Sequence, residues 1–217
     1  MVEQLLALGG GAGSAGLDES TIVSGLREAL AIGTERTVAA TSRRDGYWSD
    51  AQIRIPLPAA FERTAAGLRS VGFGSMVDDF ELTLNRAAER AASEATPVFV
   101  RAITTMTFAD ARAILGGNER AATSYFESRT RRELGQRFAP IVEASMQEVG
   151  LVRLYDDVVR RVSQLPLIPK PTLDLDEYVT DEALSGLFTV LAREEARIRR
   201  DPAARTTELL RTVFGAR

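Results

Sequence analysis

The sequence predicts an all-α protein, built as one domain in a multi-helix bundle of roughly ten helices. Apolar residues recur three and four positions apart along most of the chain, as they do on the buried face of a helix. Capping residues and Gly or Pro stops separate these segments. The stretch that alternates like a strand, residues 51–58, contains Pro56 and Pro58, which exclude a central strand. Residues 1–17 are expected to form a flexible Gly/Ala-rich leader, and residues 18–217 the helical domain.

The bundle is organised around a helix near the end of the chain. Thr180 is predicted to cap its first turn, because a short side-chain oxygen can accept an unpaired backbone N–H. Its apolar stripe consists of Leu184, Leu187, Leu191 and Ile198. Asp201-Pro202 then predicts the start of a further helix, with Pro at the first helical position.

Two carboxylates lie where an ordinary surface helix does not place them. At about 100° per residue, Glu194 falls on the apolar stripe and Glu195 lies beside it. One interpretation is a pair at the rim that is bonded to arginines, and the other is a buried carboxylate site. Arg129, one turn beyond Tyr125 on a neighbouring helix, is the expected partner of Glu194.

The remaining helices are expected in order along the chain. The predicted ranges are about 19–41, 59–70, 75–95, 97–105, 108–115, 118–138, 141–149, 152–162 and 202–214, in addition to 180–200. Pro140 is predicted to break the chain between two of them. On the first helix, Ala29 and Gly33 thin the apolar stripe, so another helix is expected to approach closely there.

Two proline-rich segments are expected to be extended straps across the bundle. The first runs from Arg43 to Pro58 and contains the chain's one tryptophan, and the second covers residues 165–173. The first strap is interpreted either as packing or as the lip of a ligand site or a strip that docks a partner.

A possible second contact surface lies on the helix predicted at 75–95. Leu82 falls nearly opposite the apolar face, among Asn85, Arg86 and Glu89. This surface either packs inside the protein or forms a binding site from the three polar residues.

The composition excludes several chemistries. The chain has no cysteine and no histidine, which removes Cys nucleophiles, Ser–His triads and zinc sites built on Cys or His. Its net charge of −3 leaves no basic footprint for nucleic acid. The acidic stretch from Asp174 to Glu182 lacks the glycine and glutamate positions of an EF-hand. No cofactor or metal motif is therefore predicted, and no stretch has the roughly 20 apolar residues of a membrane span.

Several motifs together resemble a bacterial family, domain of unknown function 4197. They are, in order, GLREALAIGTERTV, IRIPLP, LNRAAERA, DARAILGG, AATSYF, DLDEYVTDEALSGLF and RRDPAARTTELL. The resemblance covers about Leu17 to Gly215. It implies an exported, periplasmic protein whose precursor has a signal peptide or lipoprotein leader, and it brings no catalytic residues.

Three classes of function follow. The preferred one is a non-catalytic periplasmic helical protein that binds a partner protein or an envelope component. The first alternative is a carrier of an apolar small molecule or lipid, which requires a continuous apolar pocket. The second is a carboxylate-dependent hydrolase, which requires two carboxyls about 5–10 Å apart in one cleft. Oligomeric state is not predicted. The candidate binding or buried polar residues are Asn85, Arg86, Glu89, Tyr125, Arg129, Glu194 and Glu195.

Overall fold

The computed structural model describes residues 19–70, 72–148 and 174–200. These ranges contain seven helices and no strand. The helices are α1 (Glu19–Ser42), α2 (Ala59–Ser70), α3 (Gly74–Ala92), α4 (Ala95–Thr104), α5 (Phe108–Gly116), α6 (Ala121–Glu148) and α7 (Leu175–Arg200). The predicted all-α class is confirmed, whereas the predicted number of about ten helices is not reached in these ranges. The helices predicted at 152–162 and 202–214, and the second strap, lie outside the described residues.

Helix α7 is the helix around which the sequence predicts the bundle to be organised. It packs against α6, α1 and α3. Its predicted apolar stripe is buried, and Phe188 from the same helix meets Phe99 of α4 at a ring-centroid distance of 6.4 Å. Phe99 also contacts Phe126 of α6 at 5.2 Å, so an aromatic cluster joins three helices in the core.

The close helix approach predicted from the thin stripe of α1 is also present. Gly33 lies against Ile198 of α7, whose Cδ1 atom is 3.5 Å from where a Cβ would stand. Ala29 and Ile198 are both buried in this contact. Ala29 and Gly33 are small residues one turn apart on α1, and they therefore allow α7 to pack close to it.

Two predicted helix boundaries are wrong. Helix α6 continues through Pro140 to Glu148, because Phe138 and Val142 on either side are fully buried and their packing outweighs a local proline penalty of about 3 kcal/mol. Thr180 lies inside α7 and is buried. The cap is Asp174, whose Oδ1 accepts the backbone N–H groups of Asp176 and Glu177 at 3.1 Å.

The first predicted strap, residues 43–58, is not extended over most of its length. Residues 43–53, called the turn segment below, form consecutive turns, and residues 54–58 have no regular structure. The side chain of Tyr47 is fully buried, and its hydroxyl donates to the carbonyl of Ala183 at 2.6 Å. Burial, together with the nearby charge of Glu89, raises the pKa of Tyr47, so the hydroxyl stays protonated and anchors the turn segment to α7.

Candidate functional site

Three of the predicted site residues hold the chain between α1 and α2 onto α3. Asn85 accepts the N–H of Ile55 at 2.8 Å and donates to the carbonyl of Ile55 at 2.9 Å. Glu89 accepts the backbone N–H groups of Tyr47 at 3.2 Å and Trp48 at 3.3 Å. These buried side chains pair backbone N–H and C=O groups of a segment that is in neither a helix nor a strand.

Arg86 completes this cluster. Its guanidinium contacts Glu89 at 2.5 Å and Asp45 at 2.6 Å. Asp45 has a φ of 64°, in the left-handed region that Asp tolerates better than most residues. The surface around Leu82 is therefore occupied from within the protein, and Asn85, Arg86 and Glu89 have structural partners.

Glu195 lies in a second internal cluster, where α5, α6 and α7 meet. Its carboxylate accepts the backbone N–H groups of Ala122 at 3.0 Å and Thr123 at 2.8 Å, and the Thr123 hydroxyl at 2.8 Å. Arg199 pairs with it at 2.8 Å and also donates to the carbonyl of Ile114 at 2.9 Å. A carboxylate thus meets the positive end of α6 while a guanidinium meets the last turn of α5.

Tyr125 and Arg129 lie apart from these clusters, beside α5. The Tyr125 hydroxyl donates to the carbonyl of Ala102 at 3.2 Å, and Arg129 stands 5.5 Å from the Tyr125 ring. Arg129 pairs with Asp110 at 3.4 Å. The predicted pair between Arg129 and Glu194 is wrong, because Arg129 projects toward α5 whereas Glu194 projects toward α1.

Glu194 borders an open space of about 520 Å³, called the polar cleft below. The cleft lies between the end of α1, the turn segment and α7. Its lining is Ala40, Arg43, Gly46, Ser49, Asp50, Ala51, Val190, Arg193 and Glu194. A Cβ on Gly46 would stand 2.5 Å from the carbonyl oxygen of Ala40, so only glycine lets the turn fold back over α1 and form this wall.

Glu194 lies near two arginines but makes no hydrogen bond with either of them. It lies 3.9 Å from Arg36 and 3.7 Å from Arg197, and its side chain is 18% exposed. Neither Oε2 of Glu194 nor Nη1 of Arg36 makes a hydrogen bond, although both atoms are buried. One oxygen of this carboxylate is thus a buried acceptor without a donor.

Asp50 and Arg193, which also line the cleft, form an ion pair with 2.6 Å between Oδ2 and Nη2. Burial alone would raise the pKa of Asp50, but the hydrogen bond and charge of Arg193 and the N–H of Gln52 outweigh it and lower that pKa. Asp50 is therefore ionised at neutral pH and orients Arg193.

Apart from Glu194, no lining residue of the cleft was among the predicted site residues, and four of those missed have polar or charged side chains: Arg43, Ser49, Asp50 and Arg193. Three of them belong to the segment that the sequence offered as a ligand lip. The missing information was tertiary, because only the folded turn brings this segment beside Arg193 on α7.

A second pocket lies between α1, α5, α6 and α7, beside the Glu195 cluster. It is lined largely by apolar side chains, including Leu26, Leu30 and Leu191, and its volume is about 30 Å³. That volume corresponds to about two water molecules.

The fold and the cleft together define an all-helical protein with a charged surface cleft. The family profile described as Protein of unknown function (DUF4197) matches residues 16–215, and this protein belongs to that family. The resemblance read from the motifs is confirmed. Searches of curated proteins and of solved structures find no match. None of the helices in the described ranges is both long and apolar enough to cross a membrane.

Proposed function

We propose that this protein is a non-catalytic periplasmic helical protein that binds a partner protein or an envelope component in the polar cleft. The observation that carries the proposal is the cleft itself, about 520 Å³ in volume and lined by charged side chains of both signs. This volume falls in the range of about 300–1,000 Å³ that is usual for ligand sites. The Asn85–Arg86–Glu89 and Glu195 clusters, by contrast, already use their polar groups within the fold.

The carrier alternative has weaker support. The largely apolar pocket beside Glu195 measures about 30 Å³, which is far below the range of about 300–1,000 Å³ that is usual for ligand sites. The polar lining of the larger cleft suits charged or hydrogen-bonding groups instead.

The hydrolase alternative is also less well supported. Asp50 and Glu194 both line the cleft, but a general acid needs a raised pKa. The pKa of Asp50 is lowered by Arg193 despite its burial. Asp50 therefore lacks the raised pKa that a general acid in this cleft would need.

The periplasmic location rests on family membership and on the export that the resemblance implies. It is tested by separating the compartments of the native host and detecting the protein with an antibody. Recovery in the periplasmic or envelope fraction is expected, and recovery of the full-length protein only in the cytoplasm would reject export.

Binding in the cleft is tested by placing a photo-crosslinking amino acid at Ala51, which is exposed on the cleft wall. Ala113, exposed on α5, is the matched control. In the native host, a discrete adduct is expected from position 51 and not from position 113. Equal labelling at both positions, or none at position 51, would contradict a binding role for the cleft.

A further inference from the structure

One charged side chain of the polar cleft, that of Arg43, has no partner within the described ranges. Asp50 pairs with Arg193 at 2.6 Å. Glu194 stands beside two arginines, Arg36 at 3.9 Å and Arg197 at 3.7 Å. Arg43 is exposed, and its guanidinium makes no ion pair or hydrogen bond within the described ranges. Arg43 therefore adds a positive charge that no carboxylate of the cleft neutralises.

The end of α1 only partly offsets the charge of Arg43. Helix α1 ends at Ser42, and a helix C-terminus carries roughly half a negative charge, which fades within one turn. The lining itself holds two arginines and two carboxylates, so its formal charge is zero. Asp50 is paired with Arg193 and Glu194 lies beside Arg36 and Arg197, which leaves Arg43 as the lining cation without a carboxylate partner in the described ranges.

The groups available in the cleft suit one class of ligand. The planar guanidinium of Arg43 presents a fork of N–H donors that matches the oxygens of a carboxylate or a phosphate. Ser49, on the same lining, adds a hydroxyl donor. The ion pair with Asp50 at 2.6 Å holds Arg193 to one side, so that Arg43 remains the accessible cation.

We propose that the polar cleft recognises an oxyanion group of its ligand, a carboxylate or a phosphate, through Arg43 and Ser49. This inference rests on the proposed binding function and names the chemistry of the ligand. The same group can belong to a free anion or to a lipid headgroup, and the two sources are distinguished below.

Trp48 provides the readout, because it is the chain's only tryptophan and precedes Ser49 in the turn segment. Its fluorescence is followed while inorganic phosphate, or succinate, is added at constant ionic strength. The wild type is expected to show a saturable change. Arg43→Ala should weaken the apparent Kd about tenfold or more, as expected for loss of a hydrogen bond to a charged group.

Arg44→Ala is the matched control, since it removes the same charge from the neighbouring exposed residue, which does not line the cleft. Its apparent Kd should change less than about twofold. Ser49→Ala should weaken binding by a smaller factor than Arg43→Ala. Circular dichroism verifies that each variant is folded.

Vesicles distinguish the source of the oxyanion. Cosedimentation with phosphatidylglycerol vesicles, but not with phosphatidylcholine vesicles, that is lost in Arg43→Ala would assign the group to a lipid headgroup. Saturation by free anions without vesicle binding would assign it to a diffusible ligand. Either result supports the proposal.

Two results would overturn it. One is the absence of saturable binding to every probe, and the other is an equal loss in Arg43→Ala and Arg44→Ala, which would show only general charge attraction. If the adduct at position 51 persists in Arg43→Ala, the oxyanion inference fails while the proposed function stands. If position 51 gives no adduct in the wild type, the proposed function fails.

Discussion

Glu194 and Glu195 are neighbours on α7, yet the protein uses them in opposite ways. Glu195 is 6% exposed in its side chain and accepts two backbone N–H groups, a hydroxyl and a guanidinium. Glu194 is 18% exposed and stands near two guanidiniums beyond hydrogen-bond distance. One step of about 100° around the helix separates a carboxylate with a full set of donors from one with a free acceptor.

The difference shows that burial alone does not identify a functional carboxylate. Glu195 is the more buried of the two, but it satisfies the unpaired N–H groups at the start of α6. Its partner Arg199 satisfies the end of α5 through Ile114. Such unpaired helix ends are obligatory features of any helix, so this polar cluster is explained by the fold.

The largest expected effect on stability comes from removing the carboxylate of Glu195, the more buried of the two glutamates. Glu195→Ala should lower the free energy of unfolding by about 3–5 kcal/mol, because Arg199 and two backbone N–H groups lose their buried partner. Urea denaturation of the wild type and the variant measures this difference. A loss below about 1 kcal/mol would mean that Glu195 contributes no more than a surface ion pair, and that it does not differ from Glu194.

A second prediction concerns how α7 holds the turn segment that forms the cleft wall. A Cβ on Gly186 would stand 2.5 Å from Cε1 of Tyr47 and 3.2 Å from Cβ of Ile53. Gly186→Ala should cost up to about 2 kcal/mol, since the overpacking penalty of about 1–3 kcal/mol is only partly offset by the gain of about 1 kcal/mol from alanine in a helix.

Gly135→Ala on α6 is the matched control, because the nearest atom, Cδ1 of Leu184, is 3.8 Å from the added Cβ. It should stabilise the protein by about 0.5–1 kcal/mol. If both alanines have the same effect in urea denaturation, Tyr47 does not restrict the space beside Gly186.

Glu194, the glutamate that lines the cleft, should contribute less to stability than Glu195. Glu194→Gln is expected to change the free energy of unfolding by about 1 kcal/mol or less, because its contacts with Arg36 and Arg197 are long and partly solvated. The measurement is the same urea denaturation as for Glu195→Ala. A loss that matches Glu195→Ala would show that Glu194 is also a structural residue.

The elements of this contrast were predictable to different degrees. The stripe of Leu184, Leu187 and Leu191 fixed the buried face of α7, because helical periodicity depends on local spacing alone. The same reasoning placed Glu194 and Glu195 near that face. It failed at Pro140 and Thr180, where packing and an earlier cap at Asp174 decided the helix boundaries.

The partners of the site residues could not be predicted in this way. Glu195 binds Ala122 and Thr123, more than 70 positions earlier in the chain, and no local pattern encodes such a contact. The prediction that Arg129 pairs with Glu194 assumed that two apolar stripes face each other at that point. The cleft depends equally on a turn that brings Asp50 beside Arg193.

The smallest expected effect is the pH dependence of the cleft pair. The folded pKa of Asp50 is lower than its ordinary value of 3.8, because Arg193 outweighs the effect of burial. The unfolded chain therefore binds the proton more readily, so the contribution of Asp50 is present above about pH 4 and is lost as the pH falls through the folded pKa. Both side chains are partly exposed, at 29% and 41%, which limits this contribution to about 0–1 kcal/mol.

Asp50→Asn should be less stable than the wild type by that amount at pH 7, and the difference should vanish at about pH 2, in urea denaturation. Repeating the substitution with Arg193→Ala present should reduce the pH-dependent difference to the part that the N–H of Gln52 contributes. A difference that persists at low pH, or that is undiminished without Arg193, would show that Asp50 stabilises the turn segment through Gln52 instead and that Arg193 is free to meet a ligand.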